Sequence, residues 1–365
     1  MIKLDETYNK KTVIILRQFH PYLVSLYSNI KNKNYNVIAC KNRIELIKNL
    51  HKAKIVHLHW IESWFIGYNT KVIFLGTFLR SIWFICFILF IKIFPSKKLV
   101  ITLHNIQPHR IIYPRFEFLM FKFALTAAHA IIVHNKFSET EIIEKYNINK
   151  EKVYIIPHGT FDGYYGNNIS RKKARSLLNI PDDRFTILFF GNISKYKGIE
   201  QLLQVMPDIL DKEKKIFLLV AGSCVDDRLK KIIFDFSLKY PSNSLVKMNR
   251  IPDEEVQVFM NAADVGILPY LQVTTSGALL IFMSFRIPVI CSDLIPFKEL
   301  LKDAGIFYTA NDANDLKKAI LAAFQGKYNL DKLSEEMDNI SKESDWATVA
   351  ERTIEVYDRV LEGST

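Results

Sequence analysis

The chain has 365 residues, of which 49% are apolar and 13% aromatic, and its 49 Lys and Arg against 38 Asp and Glu give a net charge of +11. This composition excludes a disordered or low-complexity protein, because such chains lack the apolar surface that offsets the entropy of ordering. The length predicts two domains. The four cysteines form no C-x-x-C pair, so they indicate neither a disulfide framework nor a zinc knuckle and favour a reducing, cytosolic setting.

The excess positive charge lies in the first half of the chain. Residues 1–165 contain 23 Lys and Arg against 10 Asp and Glu, whereas residues 166–365 contain 26 against 28. Lysine-rich codon bias alone would raise both halves, so the asymmetry favours an anionic partner for the first half, either a phospholipid surface or a nucleic acid. No basic and aromatic residues interleave on a recognisable nucleic-acid module, so we expect no nucleic-acid partner.

Short β-branched runs recur along the chain with helical stretches between them. The polar start of the chain predicts no signal peptide. The strands predicted in the first half are Thr12–Leu16, Ile55–Leu58, Leu99–Leu103, Ala130–Val133 and Lys152–Ile156. Those predicted in the second half are Thr186–Phe190, Phe217–Ala221, Leu245–Met248, Val265–Leu268 and Pro288–Ile290. Strands that alternate with helices indicate parallel sheets built from βαβ units.

Residues 72–94 contain ten consecutive apolar residues, Ile82–Ile91 (IWFICFILFI). Four cations flank this run, namely Arg80, Lys92, Lys97 and Lys98. A helix that spans a bilayer needs about 20 apolar residues, so a span is disfavoured. Two alternatives remain open. One is an interfacial helix whose aromatic residues enter the headgroup boundary while the cations bind anionic lipid. The other is a helix buried against a sheet, which is also apolar all round.

The segment Gly159–Ser170 (GTFDGYYGNNIS) concentrates Gly, Asn and Asp and is typical of a linker. The alternation of strands and helices on both sides of this linker predicts an α/β protein with two doubly wound domains. The first comprises residues 1–165 and the second residues 166–345. Ligands bind such sheets at the carboxyl ends of the strands, so we expect a ligand cleft between the domains.

The sharpest motif is Phe189–Gly198 (FFGNISKYKG), which precedes a helical pattern. A strand ends at Gly191, and the loop after it contains Lys195 and Lys197. Backbone amides at a helix start and a neighbouring ammonium together bind an anion such as phosphate. The spacing matches neither a Walker A loop nor GxGxxG, so the motif indicates neither an ATPase nor a dinucleotide enzyme. Turn geometry alone is the alternative explanation.

A second motif, Pro269–Gly277 (PYLQVTTSG), lies between a predicted strand and the helical run Ala278–Phe285. Its last three residues, Thr275, Ser276 and Gly277, occupy N-cap and first-turn positions, so their hydroxyl and amide groups are donors at a helix start. Two such helix starts in one domain suit a diphosphate, and plain helix capping is the alternative.

These motifs, in this order, resemble the carboxyl-terminal domain of the retaining nucleotide-sugar glycosyltransferases of the GT-B fold, the bacterial group 1 or family 4-like enzymes. The resemblance runs from Thr186 to about Asn311 and includes VAGS, IPDEEVQVFMNAADVGILPY and TTSGALLIFMSFRIPVICSD. In the first half, IVHLHW, VITLHN, AHAIIVHN and KVYIIPHG resemble the strand ends of that family. Residues 346–365 resemble its final helix, which returns to the amino-terminal domain. The resemblance implies two Rossmann-like domains that face each other across a cleft.

The resemblance implies a donor site in the second domain. Lys197 corresponds to the lysine that contacts the donor diphosphate, and Lys195 is the candidate substitute for an arginine that Asn192 replaces. The implied diphosphate site comprises Gly191, Asn192, Lys195, Lys197, Thr275, Ser276 and Gly277. Arg250 and Ile251 correspond to the segment that brackets the nucleobase. Val273 and Ile281 stand where the family has paired glutamates, and neither can accept a hydrogen bond from a ribose or hexose hydroxyl, which puts these contacts in question. A variant branch of the family has a Thr-Ser-Gly turn at this place instead, so the departure does not exclude activity.

The resemblance implies an acceptor site in the first domain. His104 corresponds to the histidine that reaches the transferred sugar and, with Lys197, is the predicted catalytic residue. The predicted acceptor contacts are His20, His59, Trp60 and Glu62. His57 and His59 lie on one face of a strand, a spacing that permits a metal pair. No third ligand is apparent and GT-B enzymes need no metal, so we expect neither a metal nor another cofactor.

The expected function is the transfer of a hexose from a UDP- or GDP-sugar to a lipid-linked or polysaccharide acceptor in the synthesis of bacterial surface glycans such as capsule or lipopolysaccharide. The resemblance implies retention of the anomeric configuration. We expect a cytoplasmic enzyme, peripheral on the inner face of the membrane through its basic domain. Two alternatives stay open: a non-catalytic sugar-nucleotide-binding subunit, and an inverting GT-B enzyme with Glu62 as general base.

Overall fold

The computed structural model describes residues 11–16, 20–31, 33, 35–67, 73–106 and 112–363. The chain forms two units: the first runs to Gly159 and resumes at Ser344, and the second is Thr160–Glu343. The first unit contains 25 Lys and Arg against 14 Asp and Glu, and the second contains 24 of each. The first unit therefore carries the whole net charge of the protein.

The first unit is built on a parallel sheet. Its strands are β1 (Lys11–Leu16), β2 (Tyr35–Cys40), β3 (Ile55–His59), β4 (Lys98–Thr102), β5 (Ala130–Val133) and β6 (Val153–Ile155). They lie in the order β2-β1-β3-β4-β5-β6. Its helices are α1 (Pro21–Lys31), α2 (Arg43–Asn49), α3 (Glu62–Phe65), α4 (Ile73–Ile93), α5 (Pro114–Ala127), α6 (Lys136–Tyr146) and the last helix of the chain, α15 (Trp346–Glu362). Strands β3, β4 and β5 are buried throughout, as strands covered on both faces are.

Helix α15 belongs to the first unit although it follows the second in sequence. It packs along α1, and its Val356 and Tyr357 join the apolar cluster that contains Val13 of β1. The Tyr35 hydroxyl donates a hydrogen bond of 2.6 Å to Asp358, and Lys11 pairs with the same carboxylate. The segment therefore completes the core on one face of the first sheet.

The second unit is built on another parallel sheet. Its strands are β7 (Phe185–Phe190), β8 (Ile216–Ala221), β9 (Ser244–Lys247), β10 (Val265–Leu268), β11 (Val289–Ser292) and β12 (Ile306–Tyr308). They lie in the order β12-β11-β10-β7-β8-β9. Its helices are α7 (Arg171–Leu178), α8 (Ile199–Lys212), α9 (Asp227–Lys239), α10 (Val256–Ala262), α11 (Gly277–Ser284), α12 (Ile295–Leu301), α13 (Ala313–Phe324) and α14 (Leu330–Lys342). Separate apolar clusters cover its two faces, so the sheet is doubly wound.

All ten predicted strands form, and their bounds agree with the prediction to within two residues. The α/β class with two doubly wound parallel sheets is confirmed. The prediction omitted β2 and β12, which are edge strands in the described part of each sheet. Strand β2 is buried only in part, and β12 has three residues, so neither shows the continuous apolar run that marks a central strand.

Helix α4 is buried on one face only, so it is not the fully buried helix of the second alternative, and its insertion into lipid stays a prediction. One face, which includes Phe84, Phe87, Ile88 and Ile91, packs into the core of the first unit. The opposite face is exposed and forms the α4 stripe, which we define as Phe74, Leu75, Phe78, Leu79, Ile82, Leu89, Phe90 and Ile93. Among the described helices, α4 is the one that is long and apolar enough to cross a membrane, and only 28% of the residues in its most apolar stretch are buried.

The expectation that all four flanking cations face lipid is wrong for Lys98, which is buried, and for Lys97. The Lys97 ammonium is buried and donates hydrogen bonds to the carbonyls of Leu50 and Ala53, at 2.6 and 3.0 Å. A lysine ammonium has three donors and can therefore bond to two backbone carbonyls at once. Arg80 donates to the carbonyl of Ile66 at 3.3 Å, whereas Lys92 is exposed.

Candidate functional site

The second sheet has a topological switch point between β7 and β10, because the chain continues outward in opposite directions from these two strands. Such a point leaves a crevice at the carboxyl ends of the strands, where ligands of doubly wound sheets bind. We call the two segments that meet there, residues 191–198 and 269–277, the anion loops. The Leu271 amide donates a hydrogen bond of 2.8 Å to the Tyr196 carbonyl and so joins them.

Glycine at two positions lets the anion loops approach closely. Gly198 has a φ of +70°, and a Cβ there would lie 1.7 Å from the carbonyl oxygen of Pro269. Gly191 has a φ of +101°, and a Cβ there would lie 3.3 Å from Lys197 Nζ and 3.7 Å from the Cβ of Ala278. The end of β7, the Lys197 ammonium and the first turn of α11 therefore converge on one point.

Lys197 is the buried cation at this point, with 8% of its surface exposed. Its ammonium lies 5.3 Å from the centre of the Tyr270 ring. Burial lowers the pKa of Lys197, but the neighbouring phenol groups of Tyr270 and Tyr196 more than offset this, so that the pKa is raised. The group therefore stays charged at neutral pH and attracts an anion.

The three residues of the Thr-Ser-Gly turn have different roles: Ser276 caps helix α11, whereas the Thr275 hydroxyl and the surroundings of Gly277 are unoccupied by other groups of the described residues. Ser276 is the N-cap of α11, and its hydroxyl accepts a hydrogen bond of 3.2 Å from the Leu279 amide, so its side chain is already occupied. Around Gly277 a Cβ would meet nothing within 4 Å, so the start of the helix is open. Thr275 buries a hydroxyl that has no hydrogen-bond partner among the described residues. An unpaired buried hydroxyl costs about 1–3 kcal/mol, so the Thr275 hydroxyl is available as a hydrogen-bonding group at this point.

Asn192 and Lys195 lie in the first anion loop, and both are exposed. The Asn192 side-chain oxygen accepts a hydrogen bond of 3.0 Å from the Ser223 hydroxyl, which ties the loop to the end of β8. Lys195 begins the short turn that ends at Lys197. The replacement of an arginine by Lys195 stays a prediction.

The residues at the two expected glutamate positions belong to the core. Ile281 lies within α11 with 9% of its surface exposed, and Val273 packs against the same apolar cluster. Arg250 is exposed in the loop after β9, and Ile251 is buried beside Phe190 in that cluster. Their assignment to the nucleobase stays a prediction.

The first sheet has its own switch point between β1 and β3, where the predicted acceptor residues gather. His20 and Trp60 follow these strands, and their ring centres lie 4.6 Å apart. His20 accepts a hydrogen bond of 3.3 Å from the Tyr22 amide at the start of α1. Trp60 has a φ of +46°, a strained conformation for a bulky residue, and it stacks on His104 at 4.2 Å. Strain of this kind concentrates at functional sites.

His104 has no free ring nitrogen in this structure. Its Nε2 lies 3.2 Å from His59 Nδ1, and its Nδ1 lies 3.2 Å from His134 Nε2. His57 and His59 also face the same side of β3, with ring centres 4.2 Å apart, and both contact the Tyr27 hydroxyl at 2.8 Å. In the described part of the chain, no three His, Cys, Asp or Glu side chains are placed to hold one metal ion.

Sequence reasoning missed His134 as a site residue. The signal is present in the four strand-end motifs, because IVHLHW, VITLHN, AHAIIVHN and KVYIIPHG each place a histidine at or just beyond the end of a strand. Those strands are adjacent in the sheet, so their histidines meet.

Glu62 is the first residue of α3. Burial raises the pKa of its carboxyl to about 7, against smaller opposing effects from hydrogen bonds to its own backbone and to Asn105. A carboxyl group with this pKa exchanges protons near neutrality, as a general acid or base must.

Comparisons with known proteins place these features in a family. Residues 170–344, which include both anion loops, match the family model described as glycosyl transferases group 1. An uncharacterized glycosyltransferase of Methanocaldococcus jannaschii is 20% identical over 64% of this chain and 60% of its own length. An O-antigen biosynthesis glycosyltransferase of Escherichia coli is 26% identical over 46% of this chain and 49% of its own length. The chain thus spans about half the length of these curated relatives.

A further relative aligns over most of both chains. The GDP-mannose:glycolipid 4-beta-D-mannosyltransferase of Xanthomonas campestris is 22% identical over 88% of this chain and 80% of its own length. Among solved structures, the sucrose-phosphate synthase of Thermosynechococcus elongatus has a TM-score of 0.74 at 16% identity. The superposition covers 97% of this chain and 100% of the synthase chain. The Anabaena protein Alr3699/HepE, in complex with UDP-glucose, has a TM-score of 0.69 at 14% identity, with 95% and 99% of the chains covered. The chain therefore has the GT-B fold, and its residues 170–344 match the group 1 glycosyltransferases.

Proposed function

We propose that this protein is a hexosyltransferase that uses a UDP- or GDP-sugar and acts on a lipid-linked or polysaccharide acceptor in surface glycan synthesis. The observation that carries the proposal is the convergence of Lys197, Gly191 and the open start of α11 at the switch point of the second sheet. The family match covers this point. The names of the relatives from Escherichia coli and Xanthomonas campestris, which refer to O-antigen biosynthesis and to a glycolipid acceptor, support the substrate class.

The chemistry needed at the anion loops is stabilisation of a leaving diphosphate. When the bond from the sugar to the nucleotide breaks, negative charge develops on the β-phosphate. The Lys197 ammonium, the first amides of α11 and the unpaired hydroxyl of Thr275 are donors held in place before the reaction, which is how electrostatic catalysis lowers a barrier. In this proposal the charge of Lys197 stabilises the leaving diphosphate without a metal ion.

The proposed reaction retains the anomeric configuration. The departing phosphate then accepts the proton of the acceptor hydroxyl on the same face of the sugar, so no protein nucleophile is required. Glu62 supports the inverting alternative, because burial raises its pKa to about 7 and a base with that pKa works at neutral pH. Analysis of the product anomer separates the two reactions.

In the proposal, the acceptor binds to the first unit beside Trp60, His20 and Glu62. Trp60 presents a half-buried aromatic ring in a strained conformation, and His20 lies against it. His59 is buried behind these residues, where it bonds to His104 and Tyr27. It therefore supports the acceptor site from behind.

We place the first unit on the inner face of the cytoplasmic membrane, with the α4 stripe in the lipid headgroup region. The stripe is apolar and aromatic, and the unit that carries it has a net charge of +11. At the end of α4, Lys92 is exposed and Lys152 is half-buried, whereas Lys98 is buried. Burial and the charges of these three lysines together lower the pKa of the nearby His129 to about 4. An apolar helix face with cations at its end favours anionic lipid over an uncharged partner.

Ligand-induced stabilisation tests the donor site. We expect UDP or GDP to raise the melting temperature of the full-length protein, because a ligand that binds only the native state stabilises it. The Thr275→Val variant should lose about tenfold in nucleotide affinity, equivalent to one hydrogen bond. Without ligand it should melt no lower than the wild type, because valine removes an unpaired polar group. No stabilisation by UDP, GDP or ADP would contradict the donor site. Binding without transfer or hydrolysis would favour the non-catalytic alternative.

A further inference from the structure

A row of histidines lines the carboxyl edge of the first sheet. His59 ends β3, and His104, His134 and His158 follow β4, β5 and β6, which are adjacent in the sheet. All four are buried. The ring of Tyr22 on α1 contacts each of them edge-on, with ring centres 4.7 to 5.7 Å away. We call these four residues the histidine row.

Three members of the row form a hydrogen-bonded chain that ends at a backbone carbonyl. His134 Nδ1 lies 3.0 Å from the carbonyl oxygen of Ile156. His134 Nε2 contacts His104 Nδ1, and His104 Nε2 contacts His59 Nδ1, both at 3.2 Å. His59 Nε2 lies 2.8 Å from the Tyr27 hydroxyl. Every ring nitrogen of the three histidines therefore has a partner.

The carbonyl determines where each proton lies. A carbonyl oxygen only accepts hydrogen bonds, so His134 must carry its proton on Nδ1. Burial lowers the pKa of His134 to about 4 and those of His104 and His59 well below their usual range, with smaller contributions for the latter two from neighbouring histidines. All three rings are therefore neutral at pH 7, and each carries a single N–H.

The remaining protons follow in sequence. His134 Nε2 has no proton and accepts from His104 Nδ1–H. His104 Nε2 then has no proton and accepts from His59 Nδ1–H, and His59 Nε2 accepts from the Tyr27 hydroxyl. All bonds of the chain run in one direction, towards Ile156.

We propose that His134 is a positioning residue, which holds His104 in the tautomer that donates from Nδ1 and presents Nε2 as a hydrogen-bond acceptor. The inference rests on the proposed function as a sugar transferase and on the predicted role of His104, which corresponds by resemblance to the histidine that reaches the transferred sugar. A sugar hydroxyl that reaches His104 takes the place of the His59 N–H and donates to Nε2. His134 does not touch the sugar and acts through His104.

The other tautomer becomes favourable once the acceptor at residue 134 is removed. In a His134→Leu variant, a proton on His104 Nδ1 would face an apolar side chain, and an unpaired buried donor is costly. The proton would move to Nε2 and donate to His59, which would in turn carry its proton on Nε2. His104 Nε2 would then repel the hydrogen of a sugar hydroxyl. A His134→Gln variant offers an amide oxygen near the position of the lost Nε2 and preserves the acceptor.

The tautomers are measured by long-range ¹H–¹⁵N NMR on the full-length protein labelled at histidine. We expect neutral rings with the proton on Nδ1 for His59, His104 and His134 in the wild type. His129 is an internal reference of the opposite kind, because its Nδ1 accepts from the Leu99 amide at 3.0 Å and its proton must lie on Nε2 when neutral. In His134→Leu the signals of His104 and His59 should change to the Nε2–H pattern, and in His134→Gln they should not. A wild-type His104 protonated on Nε2, or no change in His134→Leu, would overturn the proposal.

Kinetics with the donor that the wild type turns over provides the second readout. We expect His134→Leu to lower kcat/KM about tenfold, equivalent to one hydrogen bond, whereas His134→Gln and the control His129→Asn stay within about threefold of the wild type. Wild-type kinetics in His134→Leu would overturn the positioning role. A wild type that transfers no sugar would contradict the proposed function, whereas the NMR pattern would decide separately whether the hydrogen-bonded chain runs as described.

Discussion

The carboxyl edges of the two sheets have the same topology but differ in how their buried polar groups are paired. Both edges lie at a switch point of a doubly wound sheet. At the first, buried polar groups bond to one another, as in the chain from Tyr27 through His59, His104 and His134. At the second, the Thr275 hydroxyl is buried without a partner beside the anion loops. The buried polar groups of the first edge are thus paired within the protein, whereas the second edge contains an unpaired one.

This difference has a physical basis. Neutral imidazoles both donate and accept, so a row of them can satisfy itself in a dry environment. Ammonium and amide groups only donate, so Lys197 and the start of α11 cannot satisfy each other and require an acceptor from outside. The histidine row therefore serves orientation, and the anion loops serve binding and charge stabilisation.

The largest expected effect concerns the acid stability of the first edge. Five buried histidines, His57, His59, His104, His134 and His158, have pKa values lowered by burial, to about 3 for His57 and about 4 for His134. The unfolded chain binds protons below pH 6.5 while the folded chain does not, so stability is complete above pH 6.5 and falls as the pH decreases towards the folded values. Between pH 7.5 and 5.5 each histidine therefore lowers the free energy of unfolding by about 1–2 kcal/mol.

Glu62 works in the opposite direction, because its raised pKa of about 7 favours the folded state as the pH falls from 7 towards 4.5. The net loss in the free energy of unfolding is about 5 kcal/mol. Urea unfolding at pH 7.5 and 5.5 measures this loss. The matched variant His134→Gln has one histidine fewer to protonate, so at pH 5.5 it should take up about one proton fewer on unfolding than the wild type. Equal stability at both pH values would show that the row is not neutral and would break the comparison.

A second prediction concerns the charge at the other edge. Lys197→Ala should lower the rate of sugar transfer by a factor of about 10²–10³, or about 3–4 kcal/mol, because it removes a donor to the developing charge. The exposed neighbour Lys195 provides the matched control, and Lys195→Ala should have the smaller effect. Steady-state assays and a melting temperature for each variant check this. Wild-type transfer by Lys197→Ala would remove the lysine from the mechanism.

The smallest expected effect concerns membrane binding, which we assign to the surface of the first unit and not to that of the second. Phe78→Ser with Leu79→Ser in the α4 stripe should weaken binding to vesicles that contain phosphatidylglycerol about tenfold, or about 1.4 kcal/mol, because less apolar surface enters the lipid. The matched control is Phe234→Ser with Leu238→Ser, an equally exposed apolar pair on α9 of the neutral unit. Wild-type binding should weaken with salt, as it does for exposed charges.

Equal losses in the two double variants would contradict the assignment of the membrane surface to the first unit. An unchanged affinity for vesicles together with a change in oligomeric state would instead indicate that a second copy of the chain covers the α4 stripe. Sedimentation of vesicles and light scattering on the free protein measure the two outcomes.

The central strands were predictable because burial on both faces requires continuous apolar runs, as in β5 and β10, whose predicted bounds agree with the structure residue for residue. The edge strands β2 and β12 were not, because an edge strand is short or polar in part. The α4 segment was ambiguous, because a helix with one face in the core and the other exposed has the same apolar sequence as a fully buried one. The burial of Lys97 depends on two carbonyls more than forty residues away in the chain.

The sequence by itself determined the identity of the anion loops, because glycine, lysine and a capping serine at fixed spacing after a strand have local physical causes: a turn, a charge and a helix start. It also determined that the positive charge lies in the first half. Only the tertiary structure decided that four histidines at four strand ends meet, that the Thr275 hydroxyl is unpaired, and that the last helix belongs to the first unit. These features depend on contacts between distant segments, and the pattern along one segment does not encode them.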